Sequence, residues 1–253
     1  MQPYPSLRSA RAAPARADSP SAPSDNFYNN AKSYWANIPA TVDGVLGGYG
    51  HVSDIDIKGS KAFLDQILSL NNAPNTNLAL DCGAGIGRIS KNLLIPRFKK
   101  VDLVEQDEKF VNAAEQLIGK DNVKLGMLYT IGLQHFKPDK KYDVIWCQWV
   151  LGHLKDYDLI TFLERCKDAL ALNGVIVIKE NIATNYEIEY DDNDSSVTRP
   201  YELMTKIFEE TNLRIIKEST QSGFPDDLYP IYTFALRPVE AFEDKNIMQC
   251  KYP

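Results

Sequence analysis

Leu78-Ala79-Leu80-Asp81-Cys82-Gly83-Ala84-Gly85-Ile86-Gly87-Arg88 decides the fold. An apolar run ends in an acid and enters a turn with glycine at every second position. An amphipathic stretch, Arg88 to Leu94, then reads as a helix. Glycines in such a turn let the chain tighten and let backbone N–H groups approach a ligand at the start of a helix. A dinucleotide-binding turn has the spacing G-x-G-x-x-G, whereas this one is G-x-G-x-G. Taken alone, the turn is equally a tight strand-to-helix connection.

Outward from this point, apolar runs alternate with amphipathic stretches. Strands are predicted at Leu78 to Leu80, Val101 to Val104, Val123 to Leu128, Tyr142 to Trp146 and Val175 to Lys179. Helices are predicted at Lys109 to Ile118, Leu159 to Leu170 and Pro200 to Thr211, before two final strands, Leu213 to Glu218 and Ile231 to Ala235. This order implies an α/β fold: a doubly wound, mostly parallel, Rossmann-like sheet with helices on both faces. The last two strands have no helix between them and so predict an antiparallel edge strand. Upstream, Phe27, Tyr28, Ala31, Tyr34 and Trp35 repeat at helical spacing until Pro39, and a second helix is predicted from Ser60 to Leu70. They form an N-terminal helical extension. Residues 1–26, rich in Ser, Ala, Pro and Arg, read as a disordered tail, 27–237 as one domain and 238–253 as a peripheral tail.

The formal net charge of −6 argues against a nucleic-acid backbone as a direct partner. Cys82, Cys147, Cys166 and Cys250 form no C-x-x-C pair, and His51, His135 and His153 lack ligand spacing, so no metal is expected and a reducing compartment is. No apolar run approaches the ~18 residues of a membrane span.

The post-strand loops of such a fold lie at the carboxyl edge, where ligands bind. Glu105, at the tip of the second strand, is placed to accept hydrogen bonds from ribose hydroxyls. Leu133 and Gln134 follow the third strand and suit an adenine edge. Gln148, Trp149 and His153 follow the fourth and face the acceptor side. By themselves Trp149 is more commonly core and a lone His153 a packing residue. Lys179-Glu180-Asn181 ends the fifth strand, followed by Glu187, Glu189, Asp191, Asp192, Asp194, Ser195 and Ser196. An acidic run of this kind is ordinarily a solvated loop, but beside a ligand pocket it becomes a wall for a cation.

The turn resembles motif I of the class I S-adenosylmethionine-dependent methyltransferases, whose acid, here Asp81, lies near the methionine moiety of the cofactor. More specific segments are Tyr34-Trp35, Thr41-Val42-Asp43-Gly44, Leu46-Gly47-Gly48-Tyr49-Gly50-His51, Gln148-Trp149 with Gly152-His153, and Asp194-Ser195-Ser196-Val197. From about Phe27 to Arg237 the chain is similar to the eukaryotic protein α-N-terminal methyltransferases. That resemblance implies S-adenosyl-L-methionine as cofactor, held by Gly83, Arg88, Glu105, Leu133, Gln134 and Gln148. It implies as substrates protein N-termini beginning Xaa-Pro-Lys or Xaa-Pro-Arg, exposed after removal of the initiator Met. Leu46, Val52 and Leu228 would line a slot for the proline, with Trp35, Trp149 and Tyr229 near the acceptor. Asn181 would orient the first peptide unit, while Asp191, Asp194 and Ser196 would hold the amine end and the third-residue cation. The family commonly has Asp where Glu105 and Glu180 stand, a change that preserves charge.

An α-amine with a pKa of roughly 7.7–8 is mostly protonated near neutral pH. A base is therefore required, and Asp194 and His153 are the candidates. Nucleus and cytoplasm are the expected compartments. Two other readings stand beside this one, a methyltransferase for a small-molecule amine and a non-catalytic module that holds cofactor or peptide.

Overall fold

The computed structural model describes residues 26–239. The predicted tails lie outside that range, apart from Asn26, Pro238 and Val239, as does Cys250. Alternation along the strands builds the core. In β1 (Leu78–Cys82) and β4 (Tyr142–Gln148), Ala79, Val144 and Trp146 face one layer, whereas Leu80, Ile145 and Cys147 face the other. Both sets are buried, as expected for parallel strands covered on two sides. With β2 (Lys100–Glu105), β3 (Leu125–Thr130) and β5 (Leu170–Ala183), they form parallel pairs in the order β3-β2-β1-β4-β5. Helix α3 (Ser53–Leu68) and α4 (Glu108–Ile118) pack on one face. On the other lie α5 (Asp156–Asp168) and α6 (Tyr201–Glu210).

Two short strands, β6 (Glu189–Asp191) and β7 (Ser196–Pro200), precede β8 (Leu213–Thr220) and β9 (Ile231–Pro238). Strand β9 runs antiparallel to both β5 and β8 and lies between them. The last two strands are therefore the antiparallel edge that the missing helix predicted.

The helical extension comprises α1 (Phe27–Asn37), the four-residue α2 (Val42–Val45) and the start of α3. Lys109 Nζ donates to the carbonyls of Trp35, Ala36 and Ile38 at 3.2, 2.8 and 2.5 Å. A cation at a helix C-terminus satisfies carbonyls that have no partner within the helix. Thus α1 is held across the carboxyl edge of the sheet.

Two expectations are corrected. Helix α3 begins at Ser53 rather than Ser60, because Asp54-Ile55-Asp56-Ile57-Lys58-Gly59 alternates polar and apolar residues with period two and hides a helical stretch. The acidic run after the fifth strand is a hairpin rather than a plain loop. Asp191 pairs with Ser196 across it, and β7 continues beside β5 through Ile182 and Arg199.

Candidate active site

Gly83, Gly85 and Gly87 all adopt positive φ, at 69°, 53° and 77°. Only glycine takes this backbone freely. A Cβ on Gly83 would stand 2.3 Å from Val150, so the turn is also pressed against the loop after β4. Gly85 N–H donates to Glu105 Oε2 and Asp107 N–H to Glu105 Oε1, both at 2.9 Å. The glutamate at the tip of β2 thereby braces the glycine turn.

Beneath α1 this turn opens onto a cavity enclosing roughly 990 Å³ of atom-free space, counting its open mouth. Every sequence-predicted cofactor residue lines it: Gly83, Arg88, Glu105, Leu133, Gln134 and Gln148. Tyr28, Phe110, Ile131 and Val150 add apolar wall that the sequence motifs did not identify, and Trp35, expected near the acceptor, lines the cavity as well. Arg165 on α5 donates to the carbonyls of Leu133 and Gln134 at 2.9 and 3.3 Å, which fixes the loop after β3. Asp81 is buried without lining the cavity, takes the Ser90 hydroxyl at 2.6 Å and lies within electrostatic reach of Arg88, and burial pushes its carboxyl up to about 6.

A second cleft, of about 640 Å³ on the same measure, adjoins the first. Trp149 and His153 line both. The cleft gathers Asn181 from β5, Asp191 and Ser196 from the β6–β7 hairpin, Asp194 between them, and Tyr229. It also gains Glu180 and Glu189, so four carboxyl side chains face it and no lysine or arginine does. Glu189 accepts a short hydrogen bond from the Tyr229 hydroxyl. Leu46, Val52 and Leu228 pack as one apolar cluster with Trp149 and Phe224 at its margin. All three are buried and none lines the acceptor cleft, while Leu46 lines the cofactor cavity instead. Trp149 holds φ 53°, a left-handed backbone that a bulky residue keeps only when its surroundings impose it.

His153 is engaged at both nitrogens. Trp35 Nε1–H donates to Nε2 at 3.0 Å, which leaves the ring proton on Nδ1, 3.3 Å from the Ser195 carbonyl. The only lone pair of this tautomer is already in use. The proton-accepting role expected of His153 therefore requires breaking the Trp35 bond, which leaves Asp194 as the principal candidate.

Burial pushes the Glu180 carboxyl up to about 7, against hydrogen bonds to Oε1 from the Val150 and Leu151 N–H groups. Because its folded-state value exceeds the unfolded one, the folded protein binds more protons between about pH 4.5 and 7, and stability falls as pH rises through that window. Glu180→Gln keeps an acceptor for both N–H groups and removes the charge. Its expected outcome is a higher Tm than the parent at pH 8, by up to about 3 kcal/mol of stability, with little difference at pH 4. Thermal unfolding at the two pH values checks this, and a uniform loss at both would refute it.

Comparison with known proteins assigns the chain and its fold to a family. Residues 23–237 match the model of the AdoMet dependent proline di-methyltransferases. The chain belongs to this family. It is a class I S-adenosylmethionine-dependent N-terminal methyltransferase. It is 47% identical over 221 residues to the Drosophila melanogaster alpha N-terminal protein methyltransferase 1, covering 86% of this chain and 79% of that one. With the human N-terminal Xaa-Pro-Lys N-methyltransferase 1 it shares 48% over 213 residues, 83% of this chain and 95% of the relative. A SAM-dependent methyltransferase structure from Leishmania major superimposes with a TM-score of 0.78 at 38% identity, covering 83% of each chain. An N-methyltransferase from Bradyrhizobium japonicum, solved with S-adenosyl-l-homocysteine, shares the fold at a TM-score of 0.60 and 17% identity, covering 85% of this chain and 99% of that one. Among the described residues no cluster of His, Cys, Asp and Glu is arranged to hold a metal ion, and no helix is long and apolar enough to cross a membrane.

Proposed function

We propose that the protein methylates the α-amino group of protein chains beginning Xaa-Pro-Lys or Xaa-Pro-Arg once the initiator Met has been removed. The observation that carries this reading is the acidic cleft joined to the cofactor cavity at Trp149 and His153, with an apolar cluster at its side. A free N-terminus followed by proline and a basic residue has a cationic end, an apolar ring and a second cation. The cleft's carboxyl groups complement the cations, and the apolar cluster bordering Trp149 is the surface nearest for the ring.

S-adenosylmethionine, when bound, supplies an electrophilic methyl group. Glu105 and the glycine turn hold the nucleoside side, and Arg88 the carboxylate side. Asn181 orients the first peptide unit, and Leu46, Val52 and Leu228 accept the proline. Asp194 binds the ammonium and takes its proton, exposing the lone pair. Trp149 and Trp35 exclude water from the junction and present aromatic faces that a methylated ammonium also tolerates.

The test is labelled cofactor with a panel of peptides. Label is expected on an Xaa-Pro-Lys peptide and absent from its α-acetylated and Xaa-Ala-Lys counterparts. Equal labelling of all three, or of small amines alone, would sink the reading. For the third-residue cation, Asp191→Asn should raise KM for an Xaa-Pro-Lys peptide while cofactor affinity stays level, since a partly desolvated pair contributes more than the ~0–1 kcal/mol of an exposed one. An unchanged KM would make that carboxylate part of a solvated face.

We extend the proposal to partners and place. Protein N-termini are the macromolecular partners, with neither nucleic acid nor membrane bound directly, and the enzyme works in nucleus and cytoplasm. Three buried free thiols, Cys82, Cys147 and Cys166, suit a reducing compartment. A fluorescent fusion confined to an organelle lumen would refute that placement.

A further inference from the structure

Asp56, in the first turn of α3, is completely buried. Its Oδ2 lies 2.7 Å from Arg88 Nη1, its Oδ1 lies 2.5 Å from Lys179 Nζ, and both oxygens accept from Gln148 Nε2 at 2.9 and 3.0 Å. Gln148 is in turn fixed by Trp146 Nε1–H, which donates to its Oε1 at 3.1 Å. One carboxylate thus holds two side chains that line the cofactor cavity, yet neither Asp56 nor Lys179 is among its lining residues. Lys179 Nζ is wholly enclosed, with Ser60 Oγ at 3.0 Å and Gln221 Oε1 at 2.8 Å besides Asp56. Asp56 Oδ1, Ser60 Oγ and Gln221 Oε1 match the three donors of an ammonium, with the Asp56 carbonyl at 3.4 Å as a further acceptor. Burial lowers the pKa of Lys179, and the Asp56 carboxylate opposes that shift.

An Arg88–Asp56 pair alone would be neutral, and Asp56 would compete with any incoming anion for the guanidinium. Lys179 removes that competition. We propose that Lys179 is a positioning residue for the cofactor site, neutralising Asp56 so that the charge of Arg88 remains available to the carboxylate of S-adenosylmethionine. The triad has two cations to one anion, buried where a charge without a counter-charge is costly. The α-carboxylate of the cofactor completes the set. Asp81, the nearby acid, takes the Ser90 hydroxyl and also attracts Arg88 through space, an attraction weakened by the burial that raises its carboxyl to about 6. This inference rests on S-adenosylmethionine as the ligand and not on the identity of the methyl acceptor.

The experiment measures, by calorimetry on purified full-length variants, affinity for S-adenosylmethionine and for its decarboxylated analogue. Lys179→Met leaves the triad neutral, and it should weaken S-adenosylmethionine on the order of tenfold or more while leaving the analogue near its parental affinity. Asp56→Asn/Lys179→Met restores the single positive charge and should recover most of the preference for the carboxylate. Asp56→Asn alone, with two cations left, should keep or enlarge that preference. A packing role would weaken both ligands together, because it does not distinguish a carboxylate. Equal losses for the two ligands in Lys179→Met would overturn the proposal. So would a reduced carboxylate preference in Asp56→Asn, a variant that settles the matter even if Lys179→Met fails to fold. If parent protein bound neither ligand, the cofactor assignment itself would fail, an outcome distinct from both.

Discussion

Asp194→Asn is expected to lower kcat by roughly 10²-fold or more, the usual scale for a positioned base. The residue sits in the turn joining the two strands of the acidic hairpin, fully buried, and lines the acceptor cleft with Asn181 and Tyr229. Asparagine preserves its volume but cannot take a proton. His153 is poorly placed to replace it, because its lone pair accepts the Trp35 indole N–H. His153→Ala should therefore cost less in kcat than Asp194→Asn. More of the free α-amine is unprotonated as pH rises, so Asp194→Asn should recover part of its activity between about pH 7 and 9.5. The parent enzyme should gain less over that range. Steady-state kinetics with an Xaa-Pro-Lys peptide across this window provide the check. Near-normal kcat with an unchanged profile would show that water carries the proton away and that Asp194 only places the substrate.

Gly85→Asp should abolish cofactor binding while leaving the fold intact, a loss of at least about a hundredfold in affinity if the new charge stays unpaired in the cavity. A Cβ at Gly85 would meet only Val45, at an ordinary 3.7 Å, so packing does not forbid it. The φ of 53° is one that aspartate adopts at modest cost. The damage is electrostatic and steric toward the ligand. A carboxylate enters the cavity beside Glu105, whose own carboxylate already accepts the Gly85 N–H. Gly83→Ala should behave differently, since its Cβ would collide with Val150 and displace the loop that carries Trp149. Calorimetry and thermal unfolding together separate the two. Gly85→Asp protein with a normal Tm and measurable S-adenosylmethionine binding would refute the assignment of the glycine turn.

The layered fold was legible because its signals are local. Period-two apolar runs, β-branched stretches such as Val175 to Val177 and the glycine turn each report the structure of their own few residues. Most of the cofactor site was legible for a related reason. In a parallel sheet, whatever follows a strand lands on one edge, so Glu105, Leu133, Gln134 and Gln148 were brought together by topology alone.

Other features depended on neighbours distant in the chain. Asp54-Ile55-Asp56-Ile57 alternates like an exposed strand, and only the fold shows it as helix, with Asp56 enclosed by Arg88, Gln148 and Lys179 from three other segments. A carboxylate in an otherwise solvated pattern carries no local mark of burial, because its stabilisation comes entirely from those partners. The same holds for His153. Its residue type suggests a base, but whether its lone pair is available depends on Trp35, 118 positions earlier. Asp81 marks the motif, but that its carboxylate takes the Ser90 hydroxyl is visible only in the fold. Sequence alone determined the layered sheet, the cofactor class and which loops meet. Tertiary structure decided which charges and lone pairs those loops leave free, because hydrogen-bond valence is consumed by partners that no local pattern encodes.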